Sequence, residues 1–557
     1  MLSESTAKTP TERAILIGAL AAALVLTAVV ASLPMTNLIA VMPDDAFYYM
    51  VIGRNIAATG VSTFDGENLA SGYHPAWMVL VTVVAYWFPG NNELVRVVLA
   101  IALLLHVTTG WLLYLCLKRF MSGVAASLTA ACWMFGYLPL LIASFAMETS
   151  LYCAVFLLGF LVYLRRIEPY LQPQNAKNHE RIPATNLLLF GAVMGLCLWA
   201  RTEAIVLLAC AVAWLGFAAL RRQRFPGSLF EACRRGVLTG GIAMAVISPW
   251  LLYCLHTFGT TRQASGVMKM LWMQDEVAGL SLGQRLWLYT EQFGQWLAFS
   301  LPWAWGSSFG LSMTMALAWI ALFIATGVFV MRSPVDARRA IARVFPSVAY
   351  PLLHLIVSGV IYASCFSDVQ HWYLALPYLE CYLVLSILGG TVYRALSADE
   401  RTRHWPVKAL AVAAVFTAVG FVRYLQTWEQ GHWIWQRDVY ASIERIDRLV
   451  PEHVRIGAFN AGIPGYFSRR RIINLDGLVN DAVVPYWQAK RFDQYLTDAN
   501  IGVIYDEELS MARAKQFSQG CPKLETIARC PLTNYIVGTR FVWELKPSGD
   551  WHKGPSP

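Results

Sequence analysis

Apolar runs of bilayer length recur along most of the chain, separated by short polar breaks. Runs at residues 14–33, 95–117, 125–143, 150–164, 187–199, 204–220, 236–255, 312–331, 344–365, 372–392 and 409–422 predict about eleven spans. Each lies near the ~20 residues a helix needs to cross the hydrocarbon core, allowing for ragged ends. A further run, 74–88, is short and led by Pro75, so it predicts a half-buried helix resting at the interface. The first run exceeds a signal peptide's apolar core and is expected to stay as an anchor, with Lys8 and Arg13 holding the N-terminus in the cytoplasm. Beyond residue 422 the pattern changes. Short β-branched runs at 455–459, 472–475, 502–505 and 535–545 alternate with turn residues and helical stretches at 441–450 and 481–497. The expected fold class is a polytopic α-helical membrane domain (1–422, first outer loop 34–93) followed by a small α/β extracytoplasmic domain (423–557).

Composition agrees. Of 557 residues, 57% are hydrophobic and 14% charged, against roughly a quarter charged in soluble proteins. The net charge of +9 does not signal nucleic acid, because the basic residues fall in short clusters between apolar runs. Lys118-Arg119, Arg165 through Arg181, Arg221 through Arg235, Arg332 through Arg343 and Arg394 through Lys408 alternate with arginine-poor loops, as the positive-inside rule expects. With the clusters in the cytoplasm, four features share the outer side: the 44–74 loop, the turns at Glu148 and Arg201, and the loop at His371. A long outer segment, 257–310, carries Arg262, Lys269 and many tryptophans and suits helices at headgroup level. Most of the 11 cysteines sit in apolar segments as packing residues. Cys521 and Cys530 lie in the polar tail, where a disulfide requires an extracytoplasmic location.

Chemistry concentrates in the first outer loop. One of Asp44 and Asp45 can cap the helix that follows Pro43, and the second faces elsewhere, where a carboxylate at a membrane surface handles a proton or a cation. Glu148 is either an interfacial acid or an acceptor-binding carboxylate. Arg201 and Glu203 can neutralise each other, yet an outer arginine after an apolar run also suits a phosphate. His74 and His371 are turn histidines, or else phosphate contacts or metal ligands. Asp476, in INLDGLVND, reads as a strand-end turn or as part of a site facing the membrane domain. The chain has no P-loop, GxGxxG or HExxH, so nucleotide use is unsupported.

The run Pro43-Asp44-Asp45-Ala46-Phe47-Tyr48-Tyr49, with Arg54-Asn55, Thr63-Phe64-Asp65-Gly66 and Gly72-Tyr73-His74-Pro75-Ala76-Trp77, resembles the acidic motif of GT-C superfamily glycosyltransferases. The bacterial branch it looks like includes the mycobacterial arabinofuranosyltransferases and dolichyl-phosphate-mannose-type enzymes. Met147-Glu148-Thr149 and Ala200-Arg201-Thr202-Glu203 resemble that branch's later turns, Thr202 replacing the usual proline. The resemblance implies an inverting transferase of the bacterial cytoplasmic (inner) membrane. It would move a sugar from a polyprenyl-phosphate donor to an envelope glycan, lipid or protein acceptor on the outer side. It implies catalytic roles for Asp44 and Asp45, one as base and the other positioning metal or substrate, with Asp44 assigned as base and the exchanged assignment open. Phosphate or substrate contacts would come from His74, Arg201, Glu148, Glu203, Arg262, Lys269 and His371. A divalent cation (Mg, Mn or Ca) would lie at Asp45 and Glu148. The rival readings are a transporter or flippase, and an inactive scaffold of an envelope-polymer system.

Overall fold

The computed structural model describes residues 9–172, 180–221, 228–299, 335–365, 370–396, 405–507, 510, 528–531 and 540–544. The membrane part contains α1 (Pro10–Ser32), α2 (Met35–Val41), α3 (Asp44–Thr59), α4 (Pro75–Trp87), α5 (Asn91–Leu117), α6 (Gly123–Phe135), α7 (Tyr137–Ala143), α8 (Thr149–Val162), α9 (Ala184–Ala200), α10 (Ala204–Leu220), α11 (Ser228–Phe258), α12 (Ala264–Val277), α13 (Leu282–Phe299), α14 (Val335–Cys365), α15 (Ala375–Leu396) and α16 (Trp405–Gln430). The remainder forms α17 (Trp435–Leu449), β1 (Arg455–Ala458), α18 (Gly462–Phe467), β2 (Ile472–Asn474), α19 (Val484–Gln488), α20 (Phe492–Asp498), β3 (Ile501–Glu507), β4 (Ala528–Pro531) and β5 (Arg540–Glu544).

Among the described residues, six helices are long and apolar enough to cross a membrane, or seven if α6 and α7 count as one span bent by 55°. Gly136 sits at that bend. The other expected spans divide by cause. Helices α9 and α10 are apolar but only 17 residues long. The run at 409–422 falls inside α16, which continues past it to Gln430. The run at 312–331 lies outside the described residues, as do Trp303, Trp305 and Cys521. Helix α4 has 13 residues, too few to span. It buries Trp77, Met78, Val81, Val84 and Ala85 while exposing Val79, Val83, Tyr86 and Trp87, the one-sided pattern of an interfacial helix.

Small residues set one tight helix contact. A Cβ on Gly191 or Gly195 would overlap Thr239 and Ile242, or Ala243 and Val246, so α9 and α11 approach backbone to backbone through a four-residue glycine spacing. Trp199 Nε1 donates to the Val246 carbonyl at 2.7 Å and fixes the register. Helix α3 starts after Pro43 and stops at Gly60, whose φ of 75° lies in the left-handed region that glycine tolerates.

The tail sheet has strand order β2-β1-β3-β5-β4, with β1 parallel to β2 and β3, and β5 antiparallel to β3 and β4. The three earlier sequence runs match β1, β2 and β3. The 535–545 run contributes β5, and β4 was not expected. Helix α17 buries Gln436, Val439, Ser442, Ile443 and Ile446, a three-and-four spacing that seats one face. The tail is sewn to the first outer loop. Gln436 Nε2 donates to the carbonyls of Ile39 and Met42 at 2.5 and 2.7 Å. The Asp481 and Leu69 backbones, and Ser71 N with the Asp481 carboxylate, pair at 3.0 and 2.9 Å. Gly72 lies so close to the Leu478 carbonyl that any Cβ there would overlap it.

Candidate active site

The two adjacent acids of α3 have different surroundings. Asp44, buried in the first turn, accepts backbone amides from Gly462 (2.8 Å) and Ile463 (2.7 Å), one on each oxygen. It therefore caps α18 of the tail. Of the two expected assignments of the base, this geometry disfavours Asp44, both of whose oxygens hold buried amides. Asp45 is half-buried and lines two cavities that meet beside it.

The inner cavity, about 50 Å³, is lined by Asp45, Tyr49, His74, Glu148, Arg201 and Lys269 among others. Arg201 and Glu148 are each 1% exposed. Arg201 NH1 lies 2.9 Å from Glu148 Oε1 and 3.2 Å from the Trp372 carbonyl, and Nε lies 2.7 Å from Glu203 Oε1. Its NH2, and Glu148 Oε2, are buried without a hydrogen-bond partner, although such groups ordinarily find one. His74 accepts the Thr202 amide on Nδ1 at 3.3 Å, leaving its Nε2 as a donor. Burial, then the Arg201 guanidinium, push the His74 pKa down to about 3. His74 is thus a neutral donor at the cavity wall rather than a cation.

The outer cavity is larger, about 580 Å³, and lies between membrane part and tail. Tail residues reach it from the carboxyl ends of the parallel strands: Phe459 and Asn460 after β1, Asp476 after β2, Glu507 at the end of β3. In open α/β sheets this is where ligands bind, because strand order reverses there and leaves a crevice. Trp272, Trp372, Trp433, Trp435 and Trp487 supply flat walls, and Lys269 and Asp45 sit at the join with the inner cavity. Asp476 is within 3.3 Å of the Tyr48 hydroxyl and accepts the Leu478 amide at 2.8 Å. Burial lifts its pKa to about 7, with the Asp45 charge adding to the rise and Lys269 opposing it. Sequence reasoning left Asp476 undecided. The signal available was its place directly after a β-branched run, at a strand's carboxyl end.

The remaining expected residues separate from this centre. Arg262 is exposed and lines neither cavity, because it precedes α12 whereas Lys269 lies one and a half turns inside it. Glu203 lines neither cavity and serves as counter-ion to Arg201. His371 also lines neither. Its ring stands 5.6 Å from that of His432, while its neighbours Gln370, Trp372 and Tyr373 face the cavities. At the cation position expected from Asp45 and Glu148, Glu148 Oε1 is taken by Arg201 while Glu148 Oε2 is left without a hydrogen-bond partner. Among the described residues no group of three His, Cys, Asp or Glu is arranged to hold a metal.

Residues 421–550 match a family model described as a domain of unknown function (DUF8728). No curated protein matches the chain in sequence. Among solved structures, ArnT from Cupriavidus metallidurans bound to undecaprenyl phosphate aligns with a TM-score of 0.52 at 13% identity, covering 96% of this chain and 99% of ArnT. The oligosaccharyltransferase of Archaeoglobus fulgidus, in complex with Zn and sulfate, aligns at 0.48 and 11% identity over 91% of this chain and 69% of its own. The ArnT alignment shows a shared fold from end to end: the chain is a polytopic, GT-C-like helical membrane protein with a small C-terminal α/β region.

Proposed function

We propose that the chain transfers a sugar from a polyprenyl-phosphate donor to a hydroxyl of an envelope acceptor, at the outer face of the cytoplasmic membrane. The observation that carries this reading is the joining of two unlike cavities at Asp45: a small one with the buried Arg201 and the half-buried Lys269, and a large one walled by tryptophans and carboxylates. The fold shared with ArnT, a protein seen with undecaprenyl phosphate, raises the prior for the donor class without identifying the sugar, since fold alone does not fix function.

In this reading the donor phosphate sits in the inner cavity. Lys269 and the unmatched Arg201 NH2 donate to its oxygens, and His74 Nε2–H adds a neutral donor. The sugar lies at the join, and the acceptor occupies the outer cavity against the tryptophan faces. The acceptor oxygen attacks the anomeric carbon, and the carbon–oxygen bond to phosphate breaks with its electron pair leaving on the phosphate. Asp45 takes the hydroxyl proton. Cations fixed beforehand stabilise the departing charge without reorganising. Attack from the outer cavity and departure into the inner one place nucleophile and leaving group on opposite sides, which gives inversion. No step passes through a metal. Asp476 holds the acceptor hydroxyl from the tail side.

The test is Asp45→Asn in the native host, with lipids and glycans measured by mass spectrometry. The reading predicts that one polyprenyl-phosphate sugar accumulates and one envelope polymer loses that residue while the protein stays abundant. Unchanged lipids and glycans would leave only a scaffold.

A further inference from the structure

At the far end of the helices from Asp45 lies another cavity, about 520 Å³, lined by Arg119, Glu168, Gln172, Arg343, Thr391 and Arg394 among others. The span that starts at Thr149 beside Glu148 ends at Tyr170, so at ~1.5 Å per residue the two sites stand roughly a bilayer core apart. Four spans terminate around this cavity: Asn91–Leu117, Thr149–Tyr170, Arg339–Cys365 and His371–Val392. Gly390 permits the convergence, since a Cβ there would press on the Phe120 carbonyl and Met121 at 3.1 to 3.3 Å, and this brings the last turn of α15 against the end of α5.

The charge of the lining is unbalanced. Among the described residues of the lining, three arginines stand with one carboxylate, and both oxygens of Glu168 are engaged. Oε1 accepts from Ser347 Oγ at 2.8 Å and from Gln172, and Oε2 pairs with Arg119. Arg394 is exposed and donates to the Arg119 carbonyl at 3.3 Å. Val344 lines the same cavity, and Phe345 beside it is 44% exposed, so apolar surface adjoins the cations at the level where helices leave the hydrocarbon.

We infer that this cavity binds the phosphodiester headgroup of an anionic membrane lipid, held by Arg343 and Arg394, with its acyl chains against Val344 and Phe345. Guanidinium forks suit phosphate oxygens, and basic pockets between helix ends on the cytoplasmic side are recurrent headgroup sites. The site is separate from the transferase reading and stands or falls without it.

The experiment is native mass spectrometry of the full-length protein in detergent, titrated with dioleoyl-phosphatidylglycerol, dioleoyl-phosphatidylcholine or inorganic phosphate. Phosphatidylglycerol should be retained as a single adduct, in preference to phosphatidylcholine. The Arg343→Gln/Arg394→Gln pair should weaken it roughly twenty-five-fold, taking a fivefold contribution per arginine near an anionic headgroup. Arg343→Lys/Arg394→Lys should restore most of the loss. If the double glutamine protein does not fold, Arg343→Gln alone, at an exposed position, should weaken retention about fivefold. Equal retention of the two lipids, or unchanged retention in the glutamine variants, would overturn the inference. So would inorganic phosphate displacing the lipid at equal concentration, since that would make the cavity a site for soluble anions.

Discussion

At the scale of single residues, the two neighbouring aspartates do different work and should fail differently. On the proposed reading Asp45→Asn keeps shape and removes the proton acceptor, so turnover should fall by roughly 10²–10⁴-fold, the usual contribution of a positioned general base, with carrier binding intact. Asp44→Ala leaves the Gly462 and Ile463 amides without their acceptor, at a cost of about 1–3 kcal/mol for the buried donors. Its signature should be a lower unfolding midpoint and faster proteolysis of the tail. Lys269→Ala should weaken undecaprenyl-phosphate binding without unfolding the chain. Arg201→Ala is a poorer probe, because it strands Glu148 as an uncompensated buried charge, a loss of about 3–5 kcal/mol. Asp476 gives a pH signature. Its pKa is about 7 in the fold, against the ordinary 3.8, so the folded state holds the proton more tightly. Its contribution is fully present below pH 3.8 and is lost as pH rises through 7. Thermal midpoints measured between pH 5 and 8 should fall with rising pH, and Asp476→Asn should flatten that slope.

At the scale of elements, the contact between α3 and α18 decides whether the site exists. A side chain at Gly462 would strike the Asp44 carbonyl and carboxyl group, so Gly462→Val should undock the tail and abolish transfer while the membrane helices remain folded. Gly191→Leu should separate α9 from α11 and lower abundance, a packing effect with no change in which lipid accumulates per folded molecule. The sequence made much of this legible. The apolar runs, the Pro43-to-Gly60 helix and three tail strands were readable because hydrophobic period and chain-breaking residues are local signals. Which aspartate would be the cap was not readable, because Asp44 caps a helix that begins 418 residues further on. Lys269 and Arg262 looked alike in sequence, and only the start of α12 at Ala264 separates the one that faces the cavities from the one that faces solvent.

At the scale of the whole molecule, two arginine-bearing sites lie at opposite ends of one bundle and differ in how their cations are held. Arg201 is enclosed and balanced by Glu148 and Glu203, with one edge turned to a cavity. Arg343 and Arg394 face an open mouth beside apolar surface. The tail completes the outer site with the strand ends that carry Phe459, Asn460, Asp476 and Glu507. Composition fixed the membrane class and charge clusters fixed which turns would share a face. The meeting of 44–48, 148, 201 and 269 with 459–507 depends on long-range packing that no local pattern encodes. The measurement that bears most directly on this account is undecaprenyl-phosphate binding to the purified protein, compared with envelope glycan output, for the native chain, Asp45→Asn and Lys269→Ala. The account predicts that Asp45→Asn binds the carrier normally but transfers nothing, and that Lys269→Ala loses carrier affinity. Normal glycan output from Asp45→Asn would contradict it.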